Sequence, residues 1–78
     1  MRLHPDVAVR PEPFGALAYH YGNRKLVFLK DPELVSLIQN LDDASTLETA
    51  VNAFPEPRRH AIRTALERLE ASDMVIDD

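Results

Sequence analysis

The apolar positions change period part-way along the chain, and that change divides it. Up to Lys30 they suit strands; from Asp31 onward they recur every three or four residues, as on a helix. The stretch Gly15 to Lys30, GALAYHYGNRKLVFLK, concentrates Tyr, Val, Phe and Leu, which fit a pleated surface. Gly22-Asn23 stands between two apolar arms and predicts a two-residue hairpin turn, with glycine supplying the positive φ that such turns require. That turn sets a register in which Tyr21 faces Arg24, Tyr19 faces Leu26 and Leu17 faces Phe28. The other face then holds Ala16, Ala18, Val27 and Leu29. Both faces are apolar, unlike a hairpin with one side in water. Either something covers each face, or the second arm offers its edge to a partner. The pattern does not say which face is core.

Before the hairpin, Val7 and Val9 alternate with Ala8 and Arg10 between prolines at 5, 11 and 13. This predicts a short edge strand or arm that can join the hairpin as a third strand, with residues 1–6 flexible. After it, Asp31-Pro32 opens a helix as N-cap and first helical residue. Leu34, Leu37, Ile38 and Leu41 form its stripe, with an end expected near Asp42-Asp43. Ser45 and Glu48 predict a capping box for a second helix with apolar face Leu47, Ala50, Val51 and Phe54. Pro55-Glu56-Pro57 breaks it. A last helix is expected from Pro57 to Ser72-Asp73, burying Ile62, Ala65, Leu66 and Leu69 with Ala61 alongside. Met74-Val75-Ile76 reads as a small strand or a tail packed on the core, and Asp77-Asp78 as solvated. Strands followed by helices predict a single α+β domain over residues 1–78, with three helices packed on a three-stranded antiparallel sheet. The tight joint between the last two helices gives it a winged-helix-like character.

Composition narrows the function. With 78 residues, 45% of them hydrophobic and no cysteine, the chain is one small soluble domain without disulfides or thiolate metal sites. A net charge of −4 argues against general nucleic-acid binding. Neither a signal-peptide h-region nor an apolar run long enough to span a membrane is present, so a cytoplasmic location is expected.

Catalytic chemistry finds little support. His4, His20 and His60 lack metal-ligand spacing, and His20 reads as a strand residue packed or hydrogen-bonded locally. Ser36, Ser45 and Ser72 occupy no nucleophile elbow, and two glycines cannot build a phosphate loop. No cofactor or metal is expected. Two features remain. Arg58, Arg59, His60, Arg63 and Arg68 on the last helix suit ion pairs on a solvated face, DNA recognition in a helix-turn-helix, or a grip on acidic peptide side chains. The arm Arg24 to Lys30 is either a core strand or an open edge to which a peptide can add as one more strand. Lys25 and Lys30 flank that arm and discourage self-pairing.

The run RPEPFGALAYHYGNRKLVFLKDPELV, Arg10 to Val35, closely resembles the PqqD-like peptide chaperones, or RiPP recognition elements, of the mycofactocin-biosynthesis type. The ending LERLEASDMVID is similar to the usual family ending, with Asp73 where a glycine often stands. The resemblance implies three antiparallel strands, three helices and no catalysis. It further implies binding of the leader of a ribosomally made precursor peptide, which adds to the third strand and lies against the last helix. It implies presentation of that precursor to a radical S-adenosylmethionine maturase, whose cofactors belong to the enzyme. Carried over by position, the peptide-binding residues are Arg24, Lys25, Leu26, Val27, Phe28 and Leu29 on the arm, with Arg59, Ile62, Arg63 and Leu66 on the last helix. Tyr19 and Tyr21 are core or meet the enzyme. The rival readings are a winged-helix DNA-binding regulator and, lacking any convergent polar site, an enzyme. An open sheet edge also permits a homodimer.

Overall fold

The computed structural model describes residues 1–42 and 45–76. The elements are β1 (Arg2–Leu3), β2 (Val7–Glu12), β3 (Gly15–His20), β4 (Leu26–Leu29), α1 (Pro32–Gln39), α2 (Leu47–Asn52), α3 (Glu56–Ala71) and β5 (Val75–Ile76). Strands β2, β3 and β4 form an antiparallel sheet in that order, and three helices follow, giving the predicted α+β fold. No helix among the described residues is long and apolar enough to cross a membrane.

One face of the sheet is core. Ala16 and Ala18 on β3 are completely buried, and Leu29 beside them joins Leu34 and Ile38 of α1 and Ile62, Leu66 and Leu69 of α3. Alanines suit this place because a helix can then pack close to the strand that carries them. The opposite face stays open: Leu17 and Tyr19 are half-buried, while Leu26 and Phe28 are exposed. At the start of β3, Gly15 adopts φ 151°, and a Cβ there would be driven into the Leu29 carbonyl oxygen. Only glycine fits both conditions.

The hairpin register is the predicted one, with Leu17 opposite Phe28 and Tyr19 opposite Leu26. Its turn is different. The positive φ belongs to Arg24 (62°), not to Gly22. The loop is longer because His20 organises it: its carbonyl accepts from the Arg24 N–H at 2.8 Å, and its Nδ1 accepts from the Gly22 and Asn23 N–H groups at 3.0 and 3.1 Å. Asn23 Oδ1 then accepts from the Lys25 N–H. Glycine is needed at 22 for room: a Cβ there would lie 2.8 Å from His20 Cε1.

Asp31 caps α1 as predicted, its carboxylate accepting from the Glu33 N–H at 2.9 Å. The helix ends earlier than expected, at Gln39 with Asn40 as C-cap, and Asp43 lies outside the described residues. The capping box of α2 is built one residue later than predicted. Thr46 and Thr49 exchange side-chain-to-backbone bonds of 2.8 and 3.1 Å, while Ser45 turns its hydroxyl to Asp42. α3 closes in a Schellman arrangement: Met74 N–H donates to Leu69 C=O and Asp73 N–H to Glu70 C=O. Asp73 holds the left-handed residue of this turn at φ 58°.

The two ends of the chain close the core together. β1 pairs antiparallel with β5, and His4 N–H donates to Met74 C=O at 2.9 Å. Met1 is buried, and its amino group bonds the Ser45 carbonyl. Residues 1–6 are thus held against the body of the domain here, where the sequence predicted a flexible arm.

Candidate functional site: a free strand edge beside an apolar groove

Backbone geometry leaves one border of β4 open. Its sheet neighbour is β3 alone; β2 lies on the far side of β3, and β1 and β5 pair with each other. The border of β4 away from β3 is therefore unpaired among the described residues. Which groups face it follows from the ladder. Lys25 C=O accepts from His20 N–H at 3.0 Å, so the groups of residue 25 point toward β3. Direction alternates along an antiparallel strand. Val27 and Leu29 accordingly bond to Ala18 and Ala16, and Leu26 and Phe28 present their N–H and C=O groups at the open edge.

A groove of about 570 Å³ runs beside that edge, between β4 and α3. Val27, Leu29 and Leu34 line one side, and Ile62, Ala65 and Leu69 the other. The alanines at 61 and 65 matter by their size, since larger side chains there would fill the groove. Lys30 and Arg68 stand at its margin, and neither makes a side-chain ion pair with another described residue.

Arg58 also borders the groove, but its charge is committed. It bridges Asp31 and Glu33 at the start of α1, and its guanidinium lies 5.2 Å from the Phe54 ring centre. The hydrogen bond to Glu33 raises its pKa above the ordinary arginine value; desolvation opposes this and Asp31 adds to it. The bridge ties α3 to the segment leaving β4 and so holds the groove's two walls together.

The structure brings only some of the predicted residues to this place. Val27, Phe28, Leu29 and Ile62 line the groove, and Leu26 supplies edge groups on the outer side. Lys25 immediately precedes β4, while Arg24 is the left-handed residue of the turn. Three residues face elsewhere. Arg59 donates from Nε to Phe54 C=O at 2.9 Å, closing the corner between α2 and α3. Arg63 grips Glu48 of α2 through bonds of 2.8 and 2.9 Å. Leu66 is wholly buried in the core. The groove wall is instead Pro57, Arg58, Ala61, Ile62, Ala65 and Arg68. The signal was present in the helical spacing: 58, 61, 62, 65, 68 and 69 share one face, and 59, 63 and 66 belong to the neighbouring one.

Another polar cluster, His4, Asp6 and His20, has three donor atoms within 4.8 Å of one another. It does not suit a metal. A metal-bound histidine carries a proton on its other ring nitrogen and donates it to an acceptor. Here His20 Nδ1 meets two N–H donors, so it must be the unprotonated nitrogen, and Nε2 carries the hydrogen. His4 Nδ1 is likewise engaged, by Asp6 N–H at 2.9 Å. The cluster is a turn-capping device, with the two imidazoles packed 4.3 Å apart. His60 lies exposed on α3.

Residues 1–76 match the Peptide chaperone MftB family. The chain belongs to this family. It is 57% identical over 49 residues to the peptide chaperone MftB of Mycobacterium tuberculosis, covering 63% of this chain and 45% of that protein. Over 52 residues, 67% of this chain, it is 52% identical to the Mycobacterium ulcerans protein of the same name and 54% identical to that of Mycolicibacterium smegmatis, covering 48% and 51% of those proteins. The chain thus spans about half the length of the curated relatives it matches. No solved structure gives a significant match. Membership bears out the mycofactocin-type resemblance carried by the hairpin.

Proposed function

We propose that the chain is a non-catalytic chaperone that binds the leader of the mycofactocin precursor peptide by strand addition to β4 and presents it to a radical S-adenosylmethionine maturase. The observation that carries this reading is the free border of β4, where Leu26 and Phe28 offer two N–H and two C=O groups beside an apolar groove. An extended peptide completes the sheet with main-chain bonds and sends alternate side chains into the groove. Lys25 and Lys30, at the two ends of the edge, oppose pairing with a second copy of the same strand. The iron–sulfur and S-adenosylmethionine chemistry belongs to the maturase.

The arginines support the peptide reading over DNA recognition. Arg58 and Arg63 are paired with carboxylates and Arg59 with a backbone carbonyl, which leaves a thin inventory for phosphate contacts.

An NMR titration of the labelled domain with the precursor peptide tests the proposal. The amides of Leu26 and Phe28 should shift and become protected from exchange, with accompanying shifts at Ala61 and Ala65. Saturable binding that leaves those four amides unchanged would place the peptide elsewhere and refute strand addition at β4.

A further inference from the structure

The groove accounts for one face of a strand docked on β4. Such a strand has a second face, and what it meets is on the open side of the sheet. Side chains of neighbouring strands stand in register, about 4.5–5.5 Å apart between Cβ atoms. Any strand bonded to Leu26 and Phe28 therefore sets half of its side chains beside the side chains of those same two residues.

That surface is apolar and built. Leu26 is 60% exposed and Phe28 38%. Phe14, 69% exposed at the turn between β2 and β3, lies against Phe28 with ring centres 5.4 Å apart. Leu17 and Tyr19 continue the patch across β3. At the two ends of β4 the polarity reverses: Lys25 precedes it, Lys30 follows it, and neither lysine has an ion pair among the described residues.

Resting on the strand-addition reading, we infer that Phe14, Leu26 and Phe28 form a second wall of the peptide site, so that the segment it selects is a short run apolar on both faces and bounded by carboxylates. An alternating strand would satisfy the groove but set polar groups against Leu26 and Phe28. A two-sided apolar run fills both walls. Carboxylates at its ends meet Lys25 and Lys30, and this part of the recognition weakens with salt.

Three short synthetic peptides of equal length test this by fluorescence anisotropy. One carries Leu-Val-Leu-Val between glutamates, one carries Leu-Ser-Leu-Ser between glutamates, and one carries Leu-Val-Leu-Val between lysines. The first should bind about tenfold more tightly than the second, as expected for two added cross-strand apolar pairs. It should also bind more tightly than the third at low salt, with the difference shrinking as salt rises. The Phe14→Ser, Leu26→Ser double variant, which keeps the main-chain groups of residue 26, should lose the preference for the first peptide. Ala61→Glu, in the groove wall, should weaken all three, and the thermal melt of each variant checks its fold. Equal binding of the first two peptides, or a double variant that still prefers the first, overturns the second wall while leaving the groove reading intact. If none of the peptides binds and Ala61→Glu leaves precursor binding unchanged, the strand-addition reading falls and this inference falls with it.

Discussion

Arg63 on α3 holds the carboxylate of Glu48 on α2 in a two-pronged grip, with bonds of 2.8 and 2.9 Å. The pair fastens two helices on the side of α3 away from the groove, so on the strand-addition proposal it serves the fold and not the ligand. Arg63→Glu should lower the melting temperature by a few degrees and leave peptide affinity unchanged. The hydrogen bond from Arg63, reinforced by its charge, holds the Glu48 pKa below the ordinary carboxylate value. Because the folded value is depressed, the stabilisation is complete above the unfolded value, about 4.3, and is lost as pH falls through the folded one. The gap in melting temperature between wild type and Glu48→Gln should therefore be constant near neutrality and close in acid. Melts across a pH series read this directly.

The alternation of backbone groups on β4 separates two proline substitutions one residue apart. The Val27 N–H faces β3, so Val27→Pro removes a ladder bond and leaves a buried acceptor unsatisfied, at about 1–3 kcal/mol. That is a large share of the roughly 3–5 kcal/mol expected of a domain this small. The Leu26 N–H faces the open edge, a position where proline is tolerated. Leu26→Pro should fold, with a modest fall in melting temperature, yet bind the precursor about five- to tenfold more weakly, since one main-chain bond contributes about 1–1.5 kcal/mol. Circular dichroism melts and calorimetric titration of both variants decide the point.

His20 and Gly22 form a unit, since the imidazole that caps the turn occupies the space a Cβ at 22 would need. Gly22→Ala should cost about 1–3 kcal/mol through forced displacement of a well-packed ring. In a His20→Ala background the same change should cost much less, because the ring is gone, the remaining close atom, Asp6 Oδ2 at 3.1 Å, is the end of an exposed side chain, and Gly22 does not need a positive φ. A double-mutant cycle by chemical denaturation measures this coupling, and additive effects would contradict it.

Asp73 is a non-glycine residue in the left-handed turn that ends α3. Replacing it with glycine removes a steric cost of about 1 kcal/mol. Asp73→Gly should therefore raise the melting temperature by about 4–8 °C. The geometry of the turn is already complete with Asp73, because the two bonds that define the turn are both made.

Local chemistry made much of the fold legible in the sequence. Asp31-Pro32 marked the start of α1, the apolar period marked the faces of α2 and α3, and the hairpin register followed from the positions of its arms. The turn itself was misread because Gly-Asn is a strong local signal, while the imidazole of His20, which reshapes the loop, enters from the flanking strand. The capping box slipped by one residue for a similar reason: Ser45 and Thr46 are both good caps, and Ser45 is drawn to Asp42.

The candidate site divides along the same line. By itself the sequence determined that a hairpin with two apolar faces exists, that lysines bracket its second arm, and that arginines crowd the last helix. Only the tertiary structure decided that the smaller face, Ala16 and Ala18, is the buried one, leaving Leu26, Phe28 and Phe14 outside. It also decided that the groove is walled by the face carrying Arg58, Ala61, Ala65 and Arg68, while Arg59 and Arg63 turn toward α2. The physical reason is packing: how closely a helix approaches a strand, and about which axis it is rotated, depends on side chains far apart in the chain that meet only once the core has closed.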